Sequence, residues 1–276
     1  MLIRIITGII GILLAGFVIQ SGGMIFAGFA LALSFLTWFE YARAFRERGM
    51  ELTLITGFLG LALLWYAGQN GMSEELMLSC SLIVLVVMLE TVLLHGSTTF
   101  MDAVTSLAGI FYIGLPFTYM AMLRNMHPEI EFFTPIGTFE FGCAFIWIMF
   151  IGTWASDTFA YFTGSAIGRH KLCSTISPKK TIEGFFGAVI GTTLTVAGIG
   201  YFLELPLDIM AYLGLAIAIL ATLGDLVESV AKRYTRIKDS GSLIPGHGGV
   251  WDRFDSVLFT APLVYYFVKL VELAAK

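Results

Sequence analysis

Four polar side chains recur at helical spacing around the end of an apolar segment. They lie at positions i, i+3, i+4 and i+7, which places them on one face of an α-helix: Asp225, Glu228, Ser229 and Lys232. If the segment spans a membrane, each ionisable group costs about 2.5–3.5 kcal/mol to insert and needs a partner or a wet cavity. An internal salt bridge to Lys232 is the structural alternative. We favour a functional site, because that bridge leaves one acid over.

A polar loop follows, with four glycines and a proline between Lys238 and Val250. Glycine lets a backbone approach a ligand closely, and Gly246, Gly248 and Gly249 would be able to present N–H groups to an anion. The alternative is a loop that is merely flexible. We favour ligand binding, because two further carboxylates come directly after the loop.

Those carboxylates are Asp252 and Asp255, and their spacing predicts one shared face at the start of the next helix. Together with Asp225 they form an oxygen-only ligand set, which suits magnesium rather than zinc. The alternative is an acidic first turn that complements the helix dipole.

A second basic segment begins with Ser177 and Pro178, which predict a helix N-cap followed by proline at the first helical position. Lys179 and Lys180 would then occupy the first turn, where cations oppose the helix dipole unless an anion binds between them. Anchoring on the inner side of a membrane is the alternative.

Other polar residues in apolar segments point less clearly to a role. Asp157 is either a structural hydrogen-bond acceptor or a site residue, and the sequence does not separate the two. Gly164 and Gly168 form a GxxxG pattern, which predicts close helix packing. Glu40 and Glu90 lie near the ends of apolar segments. We expect them to solvate helix ends, and lining the same polar cavity is the alternative.

The amino-acid composition indicates which class of protein must position these groups. Of 276 residues, 57% are hydrophobic and 13% charged, against roughly 25% charged in soluble domains. Disorder and a typical soluble globule are excluded, and the net charge of −4 gives no basic face for nucleic acid. Three cysteines without a CxxC pair predict neither a disulfide framework nor a thiolate zinc site.

The hydropathy predicts an all-α, polytopic membrane bundle of about nine spans. We expect a scaffold region over 1–140 and a catalytic region over 141–276, within one integral domain. The predicted spans are 3–20, 24–42, 52–69, 76–94, 103–123, 141–163, 183–203, 208–231 and 254–273.

The basic residues predict the orientation. With a cytosolic N-terminus, 13 of the 16 Lys and Arg residues lie inside, and the outer loop 124–140 is acidic. The long loops 164–182 and 232–253 then face the cytosol, as does the polar site that they would form.

The ordered motifs closely resemble the phosphatidate cytidylyltransferase (CDP-diacylglycerol synthase) family, bacterial type. The segments that carry the resemblance are Ser177-Pro178-Lys179-Lys180-Thr181-x-Glu183-Gly184, Gly224-Asp225-Leu226-Val227-Glu228-Ser229, Ser229-x-x-Lys232-Arg233, Lys238-Asp239-Ser240-Gly241 and Pro245-Gly246-His247-Gly248-Gly249-x-x-Asp252-Arg253-x-Asp255. Trp251 stands where the family would carry a smaller aliphatic residue.

The resemblance implies that CTP and phosphatidic acid react to CDP-diacylglycerol and pyrophosphate in a bacterial inner membrane. It also implies a magnesium ion with a potassium ion beside it, and a homodimer. The implied catalytic residues are Asp225, Lys232, Asp252 and Asp255, of which the three acids bind metal. The implied substrate-binding residues are Ser177, Lys179, Lys180, Thr181, Glu228, Ser229, Arg233, Lys238, Asp239, His247, Gly248, Gly249 and Arg253.

Two other classes stay open at this point. An ion-coupled transporter would use intramembrane acids for its coupling ion, but it predicts paired repeats with broken helices, which the sequence does not show. A CTP-dependent lipid enzyme with another acceptor, such as a dolichol kinase or an archaeal ether-lipid cytidylyltransferase, is the second.

The charge asymmetry yields a topology prediction. Cys173 lies in the loop 164–182, so on sealed right-side-out vesicles it should resist a membrane-impermeant thiol reagent and react after permeabilisation. Labelling of Cys173 in intact vesicles would contradict the cytosolic orientation of both long loops.

Overall fold

Helices make up most of the chain in the computed structural model, which describes residues 2–70, 73–135, 137–243, 246 and 248–274. Within these ranges there are nine helices of 16 or more residues and one of four. The helices are α1 Leu2–Ser21, α2 Gly23–Arg46, α3 Leu54–Gln69, α4 Ser73–Leu93, α5 Phe100–Arg124, α6 Phe141–Ile167, α7 Ile182–Phe202, α8 Leu207–Thr235, α9 Trp251–Phe254 and α10 Val257–Ala274.

The predicted membrane bundle is confirmed. Seven of the nine predicted spans coincide with segments that are helical, long and apolar enough to cross a bilayer, in the part of the chain that the structure describes. The other two predicted spans coincide with the apolar helices α1 and α3, of which α3 is only 16 residues long. At 1.5 Å per residue, the 16 residues of α3 extend about 24 Å, less than the roughly 30 Å hydrocarbon core.

The chain forms two compact units. The first unit comprises Met1–Met122 and Lys232–Phe254, and the second comprises Leu123–Ala231 and Asp255–Lys276. The expected division at residue 140 stays a prediction.

Aromatic side chains form the core of the first unit. Trp38 is fully buried, and its indole N–H donates to the carbonyl of Leu54 at 3.1 Å. A Cβ at Gly57 would collide with the Trp38 ring, so glycine at this position lets α2 and α3 approach. Tyr41 stacks on Trp38 and also contacts Trp251 at a centroid distance of 5.2 Å.

Close packing of α6 and α7 organises the second unit. A Cβ on Gly184 would lie 2.8 Å from the carbonyl of Ala160 and 3.3 Å from the Cα of Gly164. The predicted packing role is therefore confirmed for Gly164. Gly168 follows the last residue of α6 as its C-cap in extended conformation.

The prediction of a helix N-cap at Ser177 is wrong. Residues Ser177–Thr181 form strand β4, which pairs antiparallel with strand β3, Lys171–Cys173. The residue before a proline is disfavoured in the helical region, which suits Ser177 to a strand. Thr181 is the true N-cap of α7, because its side chain accepts a hydrogen bond from the Gly184 N–H at 3.1 Å.

The prediction of one continuous ninth helix is also wrong. Helix α9 ends at Phe254, and α10 begins at Val257. The Asp255 carboxylate accepts a hydrogen bond from the Ser256 N–H at 2.6 Å, and such local side-chain bonds compete with helix formation. Asp252 therefore lies on α9, whereas Asp255 lies between α9 and α10.

The predicted outer loop contains a second hairpin, formed by β1 Glu131–Thr134 and β2 Gly137–Glu140. Buried Arg124 binds Glu140 at 2.6 Å and joins the end of α5 to this hairpin. His127 bonds Glu272 through Nε2 and Glu129 through Nδ1. These carboxylates, Glu272 foremost, raise the pKa of His127 above its ordinary value.

This geometry predicts the titration of His127. Because its pKa is raised, the stabilisation from its ion pairs is fully present below about pH 6.5 and is lost as pH rises through the folded-state pKa. NMR of ¹⁵N-histidine-labelled protein, assigned with His127→Asn, should show a His127 pKa above 6.5. Glu272→Gln should lower that pKa more than Glu129→Gln; a wild-type value at or below 6.5 would contradict the prediction.

Candidate functional site

Three carboxylates of the second unit converge. One oxygen each from Asp225, Glu228 and Asp255 lies within 4.8 Å of the others. Asp225 and Glu228 are one turn apart on α8, and Asp255 lies in the break before α10. A Cβ at Gly224 would lie 2.7 Å from the Asp255 carbonyl, so glycine there allows this close approach. Glu228 is 1% exposed, deep inside the unit.

A cation from the β3–β4 hairpin balances this acidic group. Nζ of Lys180 lies 2.7 Å from the carboxylate of Asp225, and the two side chains are only 23% and 32% exposed. The hydroxyl of Ser229 donates to the other Asp225 oxygen at 3.3 Å, as i, i+4 spacing on one helix predicts. The ion pair of Asp225 is thus made with another element rather than with Lys232.

A cavity of about 450 Å³ adjoins this ion pair within the second unit. Its wall contains Asp225 and four residues of the predicted substrate-binding set: Ser177, Lys179, Lys180 and Thr181. Asp157 and Tyr161 of α6 line the same cavity. The structure therefore brings these predicted residues together, and it places Asp157 beside them.

Asp252 belongs to the first unit, where its side chain is 5% exposed. One of its oxygens lies 3.0 Å from Nζ of Lys232. The other accepts the N–H groups of Ser240 at 2.9 Å and Gly249 at 2.8 Å, so the Gly249 N–H that we expected to face an anion binds Asp252. The assignment of Asp252 to a metal stays a prediction.

Of the remaining predicted residues of the first unit, Gly248 lies beside this network. Gly248 has a left-handed φ of 91°, and a Cβ there would lie 2.7 Å from the Asp252 carboxylate. His247 lies outside the described residues. The exposed members of the set are Arg233, Lys238, Asp239 and Arg253.

Sequence reasoning missed Glu40. We expected it to solvate a helix end, and that is wrong: Glu40 is 5% exposed and hydrogen-bonds the loop 240–251. The available signal was its position within the apolar span 24–42. Glu90, by contrast, accepts a hydrogen bond from the Thr56 hydroxyl at 2.6 Å.

Trp251, the unusual residue of the motif, is fully buried. Its indole N–H donates to the Tyr112 hydroxyl at 3.4 Å, and its ring packs on Tyr41. A large aromatic residue thus fills this space and fixes the start of α9 directly before Asp252.

The chemistry of the carboxylate group fits a hard cation. Three carboxylates offer oxygen ligands only, and oxygen is what magnesium prefers. A neighbouring lysine and a cavity add what a phosphate-bearing ligand needs. Fold and site thus define a multi-pass membrane protein equipped to handle phosphate groups.

The comparison with known proteins makes the class specific. The chain belongs to the cytidylyltransferase family, whose model matches residues 2–271. Similar proteins include the phosphatidate cytidylyltransferases of Bacillus subtilis (strain 168), 32% identical over 97% of each chain, and Staphylococcus aureus (strain COL), 31% identical over 96% of this chain and 97% of the relative. The resemblance read from the motifs is confirmed.

Proposed function

We propose that this protein is a phosphatidate cytidylyltransferase, a nucleotidyltransferase of phospholipid synthesis that joins CTP to phosphatidate. The observation that carries the proposal is the likeness to phosphatidate cytidylyltransferases over nearly the whole chain. The carboxylate group beside Lys180, which lies on the motif residues, supports it.

In this reaction a phosphate oxygen of phosphatidate attacks the α-phosphorus of CTP. A new P–O–P linkage forms, the bond from the α-phosphorus to the α,β-bridging oxygen breaks, and pyrophosphate leaves with the electron pair. The nucleophile is already ionised at neutral pH, so no general base is required. The site's task is to bring two anionic reactants together and to stabilise the leaving group.

We assign Asp225, Glu228 and Asp255 to a magnesium site, on the basis of their oxygen-only donor set. When bound, the ion would supply positive charge to the phosphate oxygens. We propose that Lys180 leaves Asp225 and binds a substrate phosphate instead. The ion pair between Lys180 and Asp225, 2.7 Å long, lies at the wall of the cavity and joins it to the carboxylates. The family resemblance adds a potassium ion beside the magnesium.

Within the first unit, Lys232 and Asp252 are ion-paired and hold each other in place. We propose Lys232 as a phosphate ligand and Asp252 as the residue that aims it, so that Glu228 takes the place in the metal site that the resemblance implies for Asp252. The substrate-binding roles of the other predicted residues stay proposals: Ser177, Lys179, Thr181, Ser229, Arg233, Lys238, Asp239, His247, Gly248, Gly249 and Arg253.

We further propose the bacterial inner membrane as the location, with the site facing the cytosol where CTP is available, and a homodimer as the assembly. The excess of basic residues in loops 164–182 and 232–253 supports the orientation.

Asp225→Asn tests the assigned carboxylates. The amide keeps the shape and can still accept a hydrogen bond from Lys180, but it removes the charge. We expect turnover to fall at least about 100-fold, as when one strong electrostatic element is lost, while the protein stays monodisperse in detergent. Asp208→Asn, an exposed acid in the first turn of the same helix, should keep near-normal turnover. Near-normal turnover of Asp225→Asn would remove Asp225 from the site.

The position of label separates this reaction from that of a lipid kinase. CTP labelled at the α-phosphate should pass its label to the chloroform phase, whereas γ-label should stay aqueous as pyrophosphate. Phosphatidate should be required, and diacylglycerol should be inert. Transfer of γ-label to lipid would refute the cytidylyltransferase assignment.

A further inference from the structure

Glu40 of α2 holds the loop that carries much of the predicted substrate-binding set. Its two carboxylate oxygens accept separate backbone hydrogen bonds, from the Val250 N–H at 3.0 Å and the Trp251 N–H at 2.8 Å. Ser240 Oγ lies 3.0 Å from the same oxygen that accepts from Trp251. All these residues belong to the first unit.

Ser240 connects Glu40 to Asp252. Its hydroxyl oxygen is 3.0 Å from Oε2 of Glu40 and 3.0 Å from Oδ2 of Asp252, so its single hydrogen can serve either carboxylate. The Ser240 N–H also donates to Asp252. The two ends of the loop, at residue 240 and at 249–251, are therefore fastened to two buried carboxylates that share one hydroxyl.

Two glycines of the loop are explained by this anchor. A Cβ added at Gly249 would collide with Ser240 Oγ and with Oε2 of Glu40, and one added at Gly241 would press on Oε1. Glycine at both positions leaves room for the Glu40 side chain between the two ends of the loop. The two glycines therefore have a structural reason, the contact with Glu40, that does not depend on which ligand the loop binds.

We propose that Glu40 is a positioning residue for CTP binding: it fixes the loop 240–251, and through Ser240 and Asp252 it fixes Lys232, in the geometry that receives the nucleotide. The inference rests on the proposed function. Glu40 reaches Lys232 through three contacts of 3.0 Å each: Glu40 to Ser240, Ser240 to Asp252, and Asp252 to Lys232. A loop held at both ends loses less conformational freedom when a ligand binds, which favours affinity.

Helix packing alone would explain Glu40 poorly. A buried carboxylate costs free energy unless it is well paired, and an apolar residue would pack α2 without that cost. Glu40 is surrounded by donors from a single loop, 200 residues or more away in the chain. What the carboxylate adds is therefore a defined loop conformation.

Glu40→Gln tests the proposal. In either orientation of the amide, its NH₂ group faces one of the two backbone N–H groups, so at least one of these hydrogen bonds is lost. We expect the KM for CTP to rise about tenfold in the monodisperse fraction, the loss typical of one hydrogen bond to a charged group. A purely structural role would instead reduce the amount of folded enzyme and leave the KM for CTP unchanged.

Glu90→Gln is the matched control. It removes a carboxylate from another helix of the same unit, and the Gln carbonyl can keep the hydrogen bond from Thr56. Its KM for CTP should stay close to that of the wild type. Ser240→Ala should raise this KM by less than Glu40→Gln does, and the double variant should raise it by less than the product of the two, because both act through one network.

The hydrogen-exchange rates of the Val250 and Trp251 amides report on their hydrogen bonds to Glu40 without any assay of activity. Both should exchange faster in Glu40→Gln and remain unchanged in Glu90→Gln. A monodisperse Glu40→Gln protein with a wild-type KM for CTP would overturn the proposal, and so would fully additive effects of Glu40→Gln and Ser240→Ala.

Failure of the proposed function would look different. Wild-type protein would then not convert CTP and phosphatidate at all, and equilibrium binding of CTP to wild type, Glu40→Gln and Glu90→Gln would decide the positioning role. Equal CTP affinity of the three proteins would overturn it.

Discussion

The cost of placing carboxylates in an apolar protein is the constraint on which this structure depends. An isolated buried carboxylate is unstable, so each one must find cations or hydrogen-bond donors. The two units meet this demand differently. In the second unit a group of three acids lies beside a lysine. In the first, Glu40 and Asp252 draw backbone N–H groups of one loop toward themselves.

These two solutions differ in what they leave for a ligand. Glu40 and Asp252 accept hydrogen bonds from N–H groups of the loop backbone, so on our proposal these two acids determine the conformation of the loop. The ion pair between Lys180 and Asp225 lies at the wall of a cavity and is partly exposed, as the proposed exchange of its partners for a cation and a phosphate requires. On our proposal, that difference gives Glu40 a positioning role and Asp225 a chemical role, although the two acids look equivalent in the sequence.

Helix periodicity and charge allowed the bundle to be predicted, because a 20-residue apolar run in lipid has few alternatives to a helix. The face shared by Asp225, Glu228 and Ser229 followed from the same periodicity. The strand at Ser177–Thr181 and the helix break at Asp255 did not, since both are set by local hydrogen bonds that compete with the helix. Glu40 was misjudged because its partners lie 200 residues or more downstream, a distance at which spacing carries no information.

The contact made by Glu40 also changes how the N-terminal helices should be understood. We expected residues 1–140 to act as scaffold, which stays a prediction, and most side chains of α2 are apolar. One carboxylate on that helix nevertheless contacts both ends of the glycine-rich loop, and it lies close to where a Cβ at Gly241 or Gly249 would be. A scaffold of this kind does more than support a site. On our proposal it restricts the conformation of a loop whose four glycines give the unbound chain many alternatives. The conformation of the glycine-rich loop therefore depends on helix α2 as well as on the sequence of the loop itself.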